Sequence, residues 1–327
     1  MTPLQFEQLY QPEWDELEHA LAALRNYKPW SKRADKPLSG ERIAELYRRA
    51  CEHLALARAR SYPAHIVEHL DRLTADAHQA IYQRREFGVG RLRRLFGVDF
   101  PRAVRAHALY VWIATAVFGL PLLVIGLLVY SQPELILSLV DPDTASMYEE
   151  MYSDSAASIG RTRTADNDWQ MFGFYIRNNI GIAFQCFASG LFAGVGSLFF
   201  LAFNGAHMGG IAGYLTERGL SSTFWSFVAT HGSFELTAIV LSGAAGLRIG
   251  HSMLAPGRRT RTEALVASAR ESIVIVYGVT VMLLIAAGIE AFWSSSTWVP
   301  NAVKYAVAAF CWAAVIAYLT LQGRRAS

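Results

Sequence analysis

Apolar residues change their spacing once along this chain, near residue 105, and the change divides it in two. Before that point they recur at helical intervals among charges. After it they run in nearly unbroken stretches of about 20 residues, enough to cross a hydrocarbon core of about 30 Å. In the first part, Leu4, Phe6, Leu9, Trp14, Leu17, Leu21 and Leu24 predict a helix, with a break or restart at Pro12. Ser39, followed by Gly-Glu-Arg, reads as an N-cap, and Ile43, Leu46, Ala50, Leu54 and Ala57 as the apolar face of the helix it starts. Pro63 opens a third helix, with Ile66, Leu70, Leu73, Ala77 and Ile81 on one side. Three amphipathic helices on short turns predict a small cytosolic helical bundle over residues 1–83, serving as a structural collar or as a docking platform for a soluble partner.

The apolar stretches predict a six-span transmembrane domain over residues 107–323, with helices at about 107–130, 169–188, 191–216, 224–251, 273–292 and 303–321. Between the first two, residues 131–170 form an extracytoplasmic loop with a short interfacial helix at Ala145–Tyr152, bounded by Pro133, Pro142 and a serine-rich middle. The expected fold class is therefore all-α, a six-helix transmembrane bundle preceded by a small cytosolic helical domain.

Composition agrees with this division: 53% of the 327 residues are hydrophobic and 17% charged, which marks an integral membrane protein. The net charge of +3 adds little, but its distribution orients the chain. Arg84, Arg85, Arg91, Arg93, Arg94, Arg102 and Arg105, interleaved with Phe87, Leu92, Leu95, Phe96 and Phe100, make residues 84–106 a basic juxtamembrane segment suited to anionic membrane lipids. Arg258, Arg259, Arg261 and Arg270 mark a second basic stretch, and Arg324 and Arg325 close the chain. The loop at 131–170 holds Glu134, Asp141, Asp143, Glu149, Glu150, Asp154, Asp166 and Asp168 against only Arg161 and Arg163. Both termini are expected in the cytoplasm and the acidic loop outside, in a multi-pass protein of the bacterial cytoplasmic (inner) membrane. Trp169, Trp225, Trp293 and Trp298 then fall at the outer boundary. The adjoining span accounts for the arginines, so no nucleic acid partner is expected. The N-terminus does not pair a basic region with an apolar core, and no cleavable signal peptide is expected. Cys51, Cys186 and Cys311 form no spaced set, so neither a disulfide framework nor structural zinc is expected.

Polar groups inside the apolar stretches are the candidate chemistry: Asn178, Asn179, Asn204, His207, His231, Glu235 and Glu290, with Arg177 as a candidate counter-ion for either glutamate. In the six-span arrangement they share the outer half of the bilayer. His231 and Glu235 stand four residues apart, on one helix face. Ala238, Ser242, Gly246 and Gly250 continue that face, and Gly205, Gly209 and Gly213 form a second small-residue stripe. Such stripes let helices pack closely within one chain or in a homo-oligomer. Three readings stay open: a hydrogen-bond network that fixes packing, a channel or transporter cavity, and a metal-dependent intramembrane hydrolase built on His207, His231, Glu235 and Glu290. The chain has no His-Glu-x-x-His, Gly-x-Ser-x-Gly or Gly-x-x-x-x-Gly-Lys motif, so no catalytic residue, metal-ligand set or cofactor is assigned.

The blocks FYIRNNIGIAF, LAFNGAHMGGIAG, HGSFELTAIVLSGAAGLRIG, PGRRTR and AAGIEAFWSS, in this order, resemble the stage II sporulation protein M family from about Arg102 onward. The resemblance implies a multi-spanning bacterial or archaeal membrane protein. In spore formers the namesake works with two peptidoglycan-degrading partners, as their membrane anchor or scaffold. It further implies partners of the kind encoded near such proteins, MoxR-type ATPases and proteins with von Willebrand-like domains. The namesake is short, and the N-terminal bundle here departs from it, which favours a cytosolic partner over a sporulation role. The family supplies no established catalytic residues. The expected function is a membrane scaffold in an envelope complex.

Overall fold

A computed structural model describes residues 1–26, 39–82, 89–153, 165–296 and 298–324. Its regular elements are all helical, and they form two compact units, Met1–Gly88 and Val89–Ser327.

In the first unit, α1 (Pro3–Asn26), α2 (Gly40–Ala59) and α3 (Ala64–Tyr82) close around one core. Phe6, Trp14, Leu17 and Leu21 meet Ile43, Leu46, Ala50 and Ala57 from α2 and Ile66, Leu70, Leu73 and Ala77 from α3. The α2 and α3 stripes are those expected, although Leu54 and Ile81 pack only at the edge. Pro12 does not break α1. It removes one backbone donor, while Phe6 and Trp14 on either side are buried in the same core and hold the helix through it. Leu4 and Leu9 fall on the exposed face instead, and the Leu24 side chain lies outside the described residues. Ser39 caps α2, its hydroxyl accepting the Arg42 N–H at 3.3 Å. Arg42 also grips Glu16 with two bonds, at 3.0 and 2.7 Å, tying α2 to α1.

One polar contact lies inside this core. Trp14 Nε1 donates to Nδ1 of His53 at 3.1 Å, and His53 is only 7% exposed. Burial is the main cause that lowers its pKa from the ordinary 6.5. A proton on Nδ1 removes the acceptor that Trp14 needs. The unfolded chain therefore takes up this proton at a higher pH than the folded one. The contribution is complete above about pH 6.5 and declines as pH falls below it. In urea titrations of the full chain, hydrogen exchange in residues 1–82 is expected to show a lower midpoint at pH 5.5 than at pH 7.5. His53→Gln should flatten that difference, and an unchanged pH dependence in the variant would contradict the assignment.

The second unit starts with α4 (Val89–Arg94), a π-helical turn at Leu95–Asp99 and α5 (Phe100–Ala106). The long helices follow: α6 (Ala108–Ser131), α8 (Ala165–Ala188), α9 (Val195–Glu217), α10 (Ser221–Leu254), α11 (Arg261–Gly288) and α12 (Asn301–Leu321). Between α6 and α8 lie a 3-10 turn, Pro133–Ser138, and α7 (Pro142–Tyr152), and a π-helical turn, Ile289–Ser294, prolongs α11. Among the described residues, four segments are long and apolar enough to cross a membrane: Ala108–Ser131, Val195–Glu217, Arg261–Ser294 and Asn301–Leu321. This corrects the expectation of six. α8 and α10 have the length, at 24 and 34 residues, but not the composition. The cause is clearest in α10, which packs against α6, α8, α9, α11 and α12. A helix surrounded by protein uses serine, threonine and glycine for contact, and this lowers the average apolarity that marks a lipid-facing span.

Both small-residue stripes lie in helix seams. A Cβ added at Gly205, Gly209 or Gly213 of α9 would run into the backbone carbonyls of Phe118, Leu122 or Gly126 on α6. On α10, Gly246 sits against the Cys186 and Phe187 carbonyls, and Gly250 against Ala193 and Gly194. Ser242 Oγ donates to the Ala183 carbonyl at 2.5 Å, and Ala238 is fully buried. The tight α8–α9 junction needs left-handed backbone at Ala193 (φ 53°) and Gly194 (φ 85°).

The basic segment has intramolecular work as well. Arg102 Nε donates to the Gly323 carbonyl at 3.1 Å and Arg105 Nη1 to that of Leu319 at 2.7 Å. They satisfy carbonyls that the end of α12 leaves open. Arg91, Arg93 and Arg94 are exposed, and Arg84, Arg85 and Phe87 lie outside the described residues. At the other end of α6, α7 begins at Pro142, earlier than expected, with Asp141 accepting the Thr144 N–H at 2.9 Å. Ile136, Ala145 and Tyr152 bury themselves among Tyr214, Leu215, Phe224 and Phe227, and Glu149 pairs with Arg218 at 3.1 Å. Asp154, Arg161 and Arg163 lie outside the described residues.

Candidate functional site

α10 presents His231 and Glu235 one turn apart, with His231 Nε2 4.0 Å from Glu235 Oε2. Opposite them, α11 widens into its π-helical turn and carries Glu290 and Ser294. The donor atoms of His231, Glu235 and Glu290 lie within 4.8 Å of one another. His231 and Glu290 are buried, and the Glu235 side chain is 12% exposed. Ser294 Oγ stands 3.0 Å from His231 Nδ1. From α12, buried Lys304 donates through Nζ to the Ser294 carbonyl at 2.8 Å. α7 supplies an aromatic cover, in which Tyr152 packs on Phe224 and Phe227 and the Phe227 ring meets His231 at 5.3 Å. Burial first, and the charge of Glu290 second, push the Tyr152 phenol above its ordinary pKa. Tyr152 is therefore a neutral hydroxyl.

The other candidates make contacts of their own. Asn179 is buried and accepts from the Asn178 amide at 2.9 Å. Asn178 and Arg177 are exposed and line a groove formed by α8 residues, among them Phe174, Gly181 and Gln185. Lys304 is a buried cation beside the cluster, whereas Arg177 is exposed. On α9, Asn204 bonds back to the Phe200 carbonyl of its own helix at 2.7 Å. His207 stacks on Phe203, with ring centroids 6.1 Å apart, and is not part of the His231 grouping. The close grouping of donor atoms takes in three of the seven polar positions expected from the sequence, His231, Glu235 and Glu290. It also recruits three residues that sequence reasoning missed. Lys304 had a signal, as the one charged side chain of Asn301–Leu321, and so did Ser294, four residues after Glu290. Tyr152 had none, because its place depends on how the loop folds back.

The stage II sporulation protein M family matches residues 108–295, more than half of the chain. The chain belongs to that family. The match to stage II sporulation protein M runs from α6 through the π-helical turn and includes His231, Glu235 and Glu290, while Lys304 lies beyond it. A second family, a domain of unknown function (DUF8413), matches residues 4–83, the extent of α1 to α3. No curated protein and no solved structure matches the chain.

Proposed function

We propose that this chain is a membrane scaffold, a stage II sporulation protein M bundle that holds the α1–α3 unit at the cytoplasmic face of a bacterial inner membrane for protein partners of the envelope. The observation that carries the reading is the separate first unit. Its core is complete within residues 6–77 and needs no lipid to cover it. Orientation follows from charge. Arg102, Arg105 and Arg324 gather where α5 meets the end of α12, and Arg258, Arg259 and Arg261 join α10 to α11. The segment between α6 and α8 is acidic. The positive-inside rule assigns the basic end to the cytoplasm. A MoxR-type ATPase or a von Willebrand-like protein is the proposed partner class, by family resemblance. The channel, transporter and hydrolase readings rest on the buried cluster alone.

The test compares residues 1–327 with residues 89–327, expressed in cells, cross-linked and purified from membranes. Both chains are expected in the membrane fraction. A soluble partner should fall at least tenfold, on the order of the loss when an anchoring module is removed, in the shorter chain. Equal recovery by both would overturn the docking role.

A further inference from the structure

We propose that His231, Glu235 and Glu290 bind one divalent metal ion of the zinc class within the membrane unit. An imidazole and two carboxylates make an N/O donor set of the kind that holds zinc and its neighbours. These donors come from two helices that are packed along each other, so the grouping is a product of tertiary structure and not of one helix face.

Geometry brings the donors close to the spacing required. Ligands about 2.0–2.2 Å from a tetrahedral ion lie roughly 3.4 Å apart. His231 Nε2 and Glu235 Oε2 are 4.0 Å apart, and the whole set spans at most 4.8 Å. Rotation about the glutamate side-chain bonds closes the remainder without moving a helix.

The surroundings treat His231 as a ligand. A metal-bound histidine engages its second nitrogen with an outer partner, which fixes the ring and turns the first nitrogen to the ion. Here Ser294 Oγ holds Nδ1 at 3.0 Å, and Nε2 faces Glu235. Ser294 is itself held, since its carbonyl accepts from Lys304 Nζ at 2.8 Å. The π-helical turn is what sets Glu290 and Ser294 on the side facing α10, and such turns recur at functional sites.

Electrostatics is compatible with a cation at this position. Two carboxylates converge in a largely buried setting, where a nearby cation lowers the cost of their charge. Among the described residues, His231 on α10, Lys304 on α12 and Tyr152 on α7 lie near them. Lys304 directs its ammonium to the Ser294 carbonyl, and the phenol of Tyr152 is neutral. A divalent ion balances both carboxylates at once. A proton shared between Glu235 and Glu290 is the rival arrangement, and metal content separates the two.

The experiment uses tag-free full-length protein in detergent, stripped with a chelator, given zinc chloride and desalted. About one zinc per chain should remain, and the melting temperature should rise as zinc binds the folded state alone. Glu235→Gln and Glu290→Gln should each weaken zinc retention at least tenfold, because an amide is a poor ligand, with roughly 1.4 kcal/mol for each tenfold. His207→Gln, whose ring stacks on Phe203, should retain zinc like the wild type. Absence of zinc from the wild type overturns the proposal, as does retention that survives both glutamine variants. If the variants fail to fold, X-ray absorption at the zinc edge of the wild type decides. A shell of nitrogen and oxygen with one imidazole supports the site, and a sulfur or multi-histidine shell refutes it.

Discussion

Gly209→Leu is expected to stop the membrane unit from assembling. A Cβ at this position would overlap the carbonyl of Leu122 on α6, and a backbone atom cannot rotate away as a side chain can. Gly205 and Gly213 lie one turn to either side and press on Phe118 and Gly126 in the same way. Relief at Gly209 therefore means prising apart the whole α6–α9 seam. Even Gly209→Ala should cost about 1–3 kcal/mol, the usual penalty for overpacking, and leucine more. The readout is the monodisperse peak on size-exclusion chromatography together with the melting temperature in detergent. Gly119→Ala is the control, since a Cβ there meets nothing within 4 Å although it lies on α6 itself. A Gly209→Leu protein that elutes and melts like the wild type would show that this seam does not hold the bundle.

The glycine seam was legible because spacing alone sets it: Gly205, Gly209 and Gly213 recur every fourth residue, and only close packing uses such a stripe. The same holds for the α2 and α3 faces and the Ser39 cap, where local chemistry and tertiary packing agree. Other features depend on context that spacing does not carry. Pro12 reads as a break, yet burial of Phe6 and Trp14 holds α1 through it. α10 reads as one span among six, but its neighbours cover it so fully that its composition is that of a protein-surrounded helix. Within the candidate site, the pairing of His231 with Glu235 follows from four-residue spacing. Glu290 joins them through a π-helical turn for which AAGIEAFWSS holds no local rule. Asn204 and His207 share the polarity of the cluster but not its place, because α9 turns its glycine face to α6.

The second large effect concerns the side of the membrane on which each part lies. The scaffold reading requires the α1–α3 unit and the α10–α11 connector to be cytoplasmic and α7 to be external. Single cysteines placed in a cysteine-free background report this in intact cells. Glu68, Asp143 and Arg258 suit the purpose, since all three are exposed and one lies in each region. The outcome is close to all-or-none, because a membrane-impermeant maleimide reaches only the outer face. Asp143→Cys should label fully in intact cells. Glu68→Cys and Arg258→Cys should label only after the membrane is opened. Labelling of Glu68→Cys in intact cells would put the α1–α3 unit outside and contradict the scaffold account.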